Sequence, residues 1–129
     1  MADYFVSFSD YSKVAQWILN HGGSAVSARA DALKVLEEVL ELCYASGASA
    51  LDIQNAVNEG AIKAKQRDEI QTWADFARAR DEYGDVLVTL MSYAFKWNMI
   101  PDEILPVTFD KLRSRQWKAN AVGILVRDR

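Results

Sequence analysis

Leu33-Lys34-Val35-Leu36-Glu37-Glu38-Val39-Leu40-Glu41-Leu42-Cys43 is the stretch that decides how the rest of the chain reads. At 100° per residue, Leu33, Leu36, Leu40 and Cys43 share one face of a helix, while Val35, Val39 and Leu42 cover a neighbouring one. Glu38 and Glu41, three residues apart, project together from the polar stripe left over, with Asp31 and Lys34 above them. A helix apolar over most of its circumference is normally buried. Buried carboxylates are costly unless they are paired or hold a metal. The stretch therefore predicts something positive against Glu38 and Glu41.

A second stretch, Arg78-Ala79-Arg80-Asp81-Glu82-Tyr83-Gly84-Asp85-Val86-Leu87-Val88-Thr89-Leu90-Met91, has the same construction. Glu82 and Asp85 are again three apart, and Arg78, Thr89, Ser92 and Lys96 extend their stripe. Facing each other in an antiparallel bundle, the two helices would gather four carboxylates in one low-dielectric pocket. Four like charges repel and some protonate unless divalent cations are bound. An all-oxygen set without thiolate or imidazole suits Mg²⁺ or Mn²⁺, and two or more ions are expected. The structural alternative is plain: Glu is a good helix former, and Glu-x-x-Glu pairs are common on solvated faces. That account needs basic partners for all four carboxylates, and Lys34, Arg78 and Lys96 are the nearest.

Glu37-Glu38-Val39-Leu40-Glu41-Leu42 followed by Glu82-Tyr83-Gly84-Asp85-Val86-Leu87 resembles the E-E-x-x-E … E-x-G-D-V-L signature of MazG-like proteins. These are the all-α nucleoside triphosphate pyrophosphohydrolases, which include the dimeric dUTPases. The resemblance continues through Trp97-Asn98-Met99-Ile100-Pro101-Asp102-Glu103 into Lys111-Leu112-Arg113, and covers roughly Leu33–Lys118. Two positions depart from the pattern. The forty residues between Glu41 and Glu82 make a longer connection than the family's, and Arg115 stands where many members have Asn.

The resemblance implies an all-α antiparallel helical bundle that cleaves a nucleoside triphosphate, with water, to the monophosphate and pyrophosphate. Glu38, Glu41, Glu82 and Asp85 would ligate Mg²⁺, with Glu38 also orienting the attacking water as base. A triphosphate is highly negative, so a carboxylate cage needs the cations to bridge to it. Lys34, Lys111 and Arg115 are the candidate phosphate contacts. The resemblance places the nucleoside near a short helix before the cage, where Gln16, Trp17 and Asn20 are the candidate readers of the base. MazG-like proteins are dimers or dimers of dimers, so a homodimer or homotetramer is expected here. The short single-domain form is similar to those carried by phages, some of which hydrolyse dGTP or GTP. Broad house-cleaning (d)NTPases and dUTPase-like enzymes belong to the same family and are the alternatives within it.

The 129 residues are enough for one domain with a single core, expected over about 10–118 with an extended tail at 119–129. Half of them are hydrophobic and 26% charged, with two prolines and six glycines, a composition that favours helices. The net charge of −3 argues against a generic nucleic-acid binder, which is usually basic. Cys43 is the one cysteine, so no internal disulfide forms, and its place on the apolar face suggests a buried thiol in a reducing cytoplasm. Neither a signal sequence nor a membrane-length apolar run is visible, so no membrane partner is expected and the location is cytoplasmic, the host's if the chain is phage-encoded.

Read in order, Met1–Ser9 is an aromatic lead-in in which Tyr4, Phe5 and Phe8 suggest packing on something. Ser9 or Asp10 caps a helix through Asn20 that turns Val14, Trp17 and Ile18 inward, and His21, beside the turn that ends it, reads as solvated. The first carboxylate helix spans about 27–44 and stops at Ala45-Ser46-Gly47. Ser49 then caps an inserted helix with Leu51, Ile53, Val57 and Ile62 as sparse apolar positions. The second carboxylate helix is expected from Asp68 or Thr72 to Lys96 or Asn98, anchored by Trp73 and Phe76. Asp102-Glu103 open a last helix, continuous from about Val107 because of Pro106, which carries Phe109, Leu112 and Trp117 inward and Lys111, Arg115 and Lys118 on a basic face. Val122–Val126 reads as a lone strand suited to pairing with another tail.

Two readings outside this family stand beside it. A di-iron carboxylate bundle wants Glu-x-x-His pairs, but Glu41 and Asp85 occupy the corresponding positions and no histidine lies near them. A non-catalytic helical interaction module, its carboxylates neutralised by Lys and Arg, remains the structural counterpart.

Overall fold

The computed structural model describes residues 8–20, 26–115, 117–119 and 125–127. Tyr4, Phe5 and His21 lie outside them. The described chain is all-α, with five helices: α1 (Phe8–Asn20), α2 (Ala28–Ala45), α3 (Ala50–Gln66), α4 (Phe76–Lys96) and α5 (Pro101–Arg113). Two three-residue strands follow, β1 (Trp117–Ala119) and β2 (Leu125–Arg127). No described helix is long and apolar enough to cross a membrane.

The chain divides into two compact units, Ala28–Asp75 and the pair of segments Met1–Ser27 and Phe76–Arg129. The first holds α2 and α3. Among the described residues Ala30, at 4% exposure, is the one buried side chain. Val39, Leu40, Leu42 and Cys43 are half-buried, so the thiol is less enclosed than expected. Leu33 is 53% exposed, and Val35 and Leu36 are also exposed. The expectation that α2 is buried on most sides is thus not met within the single chain. α3 offers too little cover: of Leu51, Ile53, Val57 and Ile62, only Ile53 is half-buried.

In the second unit the contact between α1 and α5 is aromatic. Trp17 meets Phe109 edge to face, with ring centroids 5.8 Å apart and planes at 89°. Such pairs contribute beyond the area they bury. Val14, Ile18, Leu105 and Leu112 are half-buried on the same two helices. Tyr93 of α4 and Trp97, just past its end, sit at 6.4 Å in a tilted pair, whereas Phe95 is 84% exposed.

Three element boundaries differ from the sequence expectation. α4 begins at Phe76, and Trp73 and Phe76 are exposed rather than anchoring its first half. The segment before it turns instead, with the Gln71 side-chain amide donating to the Trp73 carbonyl at 2.8 Å. α5 runs unbroken from Pro101 through Pro106. Pro101 sits at the helix start, where no N–H bond is lost, and Pro106 removes a single backbone donor. The tail is also different: β2 pairs antiparallel with β1 of the same chain, Trp117 opposite Arg127 and Lys118 opposite Val126. Trp117 and Lys118 therefore leave α5 altogether, because the helix stops at Arg113.

Three helices stop by one device. After α2, Ala48 N–H donates to Cys43 O at 3.0 Å and Gly47 N–H to Tyr44 O at 3.1 Å, with Gly47 at φ +89°. After α3, Glu69 donates to Ala64 and Asp68 to Lys65, with Asp68 at φ +54°. After α4, Met99 donates to Ala94 and Asn98 to Phe95, with Asn98 at φ +53°. Each is a Schellman closure that satisfies orphan carbonyls through a left-handed residue. α3 is also closed at its start. Ser49 Oγ accepts from Asp52 N–H at 3.0 Å, and Asp52 Oδ2 accepts from Ser49 N–H at 2.8 Å, a reciprocal capping box.

These ends make testable claims. Gly47→Ala is expected to lower stability by about 1–2 kcal/mol in urea unfolding, since the position has open space but a φ that disfavours any Cβ. Asn98→Gly should raise the unfolding midpoint or leave it unchanged. Ser49→Ala should cost about 1 kcal/mol. The backbone and hydroxyl of Ser49 hold the Asp52 carboxyl below its ordinary 3.8. Its contribution is therefore present above that pH and is lost as pH falls through the lower folded value, which far-UV dichroism between pH 5 and 2 would read (about the range in which a carboxylate protonates).

Candidate metal and nucleotide site

Glu38 and Glu41 stand three residues apart on α2, and Glu82 and Asp85 three apart on α4. Helical geometry alone places each pair on one face. All four are exposed in the chain, where the sequence had suggested a dry pocket. The first pair belongs to the unit Ala28–Asp75 and the second to the other unit. Within neither unit do three or more His, Cys, Asp or Glu side chains gather among the described residues. As a donor set the four carboxylates offer oxygen alone, which fits a hard divalent cation.

Lys34 is the charge that α2 brings to its own carboxylates. Its Nζ lies 3.1 Å from Glu38 Oε1 and 3.2 Å from Glu37 Oε1. Burial pulls the ammonium pKa down, but hydrogen bonds and charge from Glu38 and then Glu37 outweigh it, leaving the value raised above 10.5. The ammonium is therefore charged at neutral pH, and its side of the pairs is lost as pH climbs through that raised value. Exposed pairs of this kind contribute little to stability. Among the described residues, no ion pair is formed by Glu41, Glu82 or Asp85. Thr89 Oγ1 donates to the Asp85 backbone carbonyl at 2.8 Å, which engages the main chain and leaves the carboxylate out.

The candidate base readers are on α1. Gln16 Nε2 donates to Asn20 Oδ1 at 2.9 Å, so each amide already spends one group on the other. Trp17 is half-buried and edge-on to Phe109, which makes it an anchor between α1 and α5. The candidate phosphate contacts do not line up as a helical row. Lys111 is exposed in the last turn of α5, with its carbonyl accepting from Ser114 Oγ at 2.7 Å. Arg115 lies past the helix end, in a bend where its N–H donates to Leu112 O at 3.2 Å. The helical spacing expected for Lys111, Arg115 and Lys118 needed a longer α5 than the chain builds.

Other groups were not singled out as site residues from the sequence. Arg113 lies over the Phe109 ring, 4.7 Å from its centroid, and pairs with Asp110. Lys13, Val14, Asp102, Leu105, Pro106, Phe109, Asp110 and Arg113 line a cleft of about 250 Å³ between α1 and α5. One Asp102 oxygen is buried with no hydrogen-bond donor among the described residues. The Asp110–Arg113 spacing was a visible i, i+3 signal, but the cleft depends on how two distant segments pack. An apolar groove at the α4–α5 corner, including Met91, Phe95, Met99 and Pro101, adds about 420 Å³. No known family, curated protein or solved structure matches this chain.

The α1–α5 contact is testable by itself. Phe109→Ala is expected to cost about 2 kcal/mol, less than for a fully buried ring because Phe109 is half-buried. A double-mutant cycle with Trp17→Ala should return a coupling of about 1 kcal/mol in urea unfolding.

Proposed function

We propose that the chain is a Mg²⁺-dependent nucleotide pyrophosphohydrolase converting NTP or dNTP and water to NMP or dNMP and pyrophosphate. The observation that carries this reading is the recurrence of one arrangement: two carboxylates a helical turn apart on α2, and two more on α4, in the order of the MazG-like signature. Three of the four have no ion-pair partner among the described residues, as ligands for a cation would require. On this reading the helices form an antiparallel bundle of the all-α pyrophosphohydrolase type.

Glu38, Glu41, Glu82 and Asp85 would hold the cation, with Mn²⁺ as an effective substitute. When bound, Mg²⁺ supplies charge neutralisation for the triphosphate and raises the acidity of water. Glu38 orients the attacking water and accepts its proton. Lys34, Lys111 and Arg115 supply positive charge for the phosphate oxygens, and positioning dominates a transfer of this kind. Gln16 and Asn20 offer donor and acceptor groups to a base edge. Purine substrates such as dGTP or GTP are one choice, and dUTP or a broad house-cleaning range is the other.

Assembly belongs to the same proposal. Leu33 and Leu36 of α2 and Val88, Met91 and Phe95 of α4 are exposed in the single chain. A monomer rarely leaves so much apolar surface in water. A two-fold homodimer, or a tetramer of two dimers, covers the same face on each copy.

One observation favours the second reading, a non-catalytic interaction module: Glu38 already has Lys34 as its counter-ion. Calorimetry with Mn²⁺ separates the two, because a salt-bridged module binds no metal specifically.

Glu38→Gln, Glu41→Gln, Glu82→Gln and Asp85→Asn are each expected to remove most pyrophosphate release while far-UV dichroism stays unchanged. A variant with near-native turnover at saturating Mg²⁺ would strike its residue from the ligand set. Asn20→Ala should reorder the preference among the common NTPs, dNTPs and dUTP, and an unchanged order would place base reading elsewhere. Light scattering across a dilution series should show a species above 14.5 kDa, and a fully active monomer would end the assembly claim.

A further inference from the structure

Lys34 stands at three and four residues from Glu37 and Glu38, the two spacings that bring side chains together on a helix. Its ammonium has three donors and reaches both carboxylates at once. Lys34 is 27% exposed at its side chain, against 52% and 58% for the two glutamates, so the cation is the more enclosed partner. On the helical wheel Lys34 and Glu41 are about 20° apart, with Glu37 and Glu38 to either side. The ammonium thus sits at the head of the stripe that Glu38 and Glu41 form.

We propose that Lys34 is a displaceable counter-ion shared by Glu37 and Glu38, so that a divalent cation at Glu38 takes that carboxylate while Glu37 retains the ammonium beside it. The proposal rests on the metal reading of Glu38 and goes beyond it by assigning roles to Lys34 and Glu37. A cation bound through Glu38 must coordinate at about 2.1 Å if it is Mg²⁺. The ammonium at 3.1 Å from the same carboxylate would then be held within a few ångströms of a second positive charge. Coulomb repulsion at that range opposes binding, moderated by the exposure of both glutamates. Withdrawal from Glu38 relieves it, and Glu37 supplies a place to withdraw to without losing the charge from the site. Freed from Glu38, the ammonium has donors left for a phosphate oxygen. Glu37 is then a positioning residue, acting through Lys34.

The test is Mn²⁺ titration calorimetry on the full chain without nucleotide, for the wild type, Lys34→Gln, Glu37→Gln and the double variant. Removing the competitor should tighten Mn²⁺ binding by roughly two- to fivefold, the range for an exposed ion pair. Lys34→Arg, which keeps the charge, should restore affinity close to the wild type. Glu37→Gln should weaken binding where Lys34 is present, because the ammonium then has Glu38 alone. In the Lys34→Gln background the same change should have much less effect, and this non-additivity is what a simple change of net charge does not produce. Additive effects, or no change for Lys34→Gln, would overturn the counter-ion role and leave the metal reading standing. A wild-type chain that binds no Mn²⁺ would overturn both. The three side chains lie on the outside of α2, so the variants keep their helix, and far-UV dichroism verifies it.

Discussion

Like charges crowd one stripe of α2, and Lys34 is the ammonium set among them. Glu37, Glu38 and Glu41 fall within little more than a quarter of the helix circumference. Lys34 answers part of that charge, and its distances of 3.1 and 3.2 Å show how much a single ammonium can reach. Glu41 lies about two turns beyond Lys34. On α4 the pair Glu82 and Asp85 has the same spacing and, among the described residues, no ion pair at all.

The apolar surface has a related logic. A helix with carboxylates on one stripe and Leu, Val and Met on the rest must find cover, and the single chain supplies little. Ala30 is the one buried side chain described, and Leu33 and Phe95 are more than half exposed. The α1–α5 contact shows what cover looks like where it exists: Trp17 against Phe109, with Arg113 over the same ring. α3 cannot do the same for α2, because Gly60, Asn55, Asn58 and Glu59 interrupt its apolar positions. The proposed second copy answers this imbalance.

Parts of the fold were legible from local chemistry. Ser49 with Asp52 announces a helix start, and Gly47 a helix stop, since each acts through hydrogen bonds to backbone within a few residues. The start of α4 was not legible in the same way. Trp73 and Phe76 look like anchors by type, yet a large apolar side chain does not say whether anything packs on it. Nor did the left-handed Asp68 stand out, because Asp adopts that conformation only when a helix end and the following chain require it. The tail failed for a similar reason. Val122–Val126 looked like one strand without a partner; residues 122–124 lie outside the described residues, and the partner of Leu125 and Val126 came from residues assigned to the helix before them.

By itself, then, the sequence determined the helical class, the spacing of the two carboxylate pairs, the polar stripe that carries Lys34 with them, and the Ser49 cap of α3. All of these are set by helix periodicity and by contacts within about four residues. The tertiary structure decided that α5 ends at Arg113, that Trp117 joins a ribbon, and that Trp17 is committed to Phe109. These depend on which surfaces meet across long separations in the chain, where side-chain type sets the strength of a contact but geometry alone sets whether it forms.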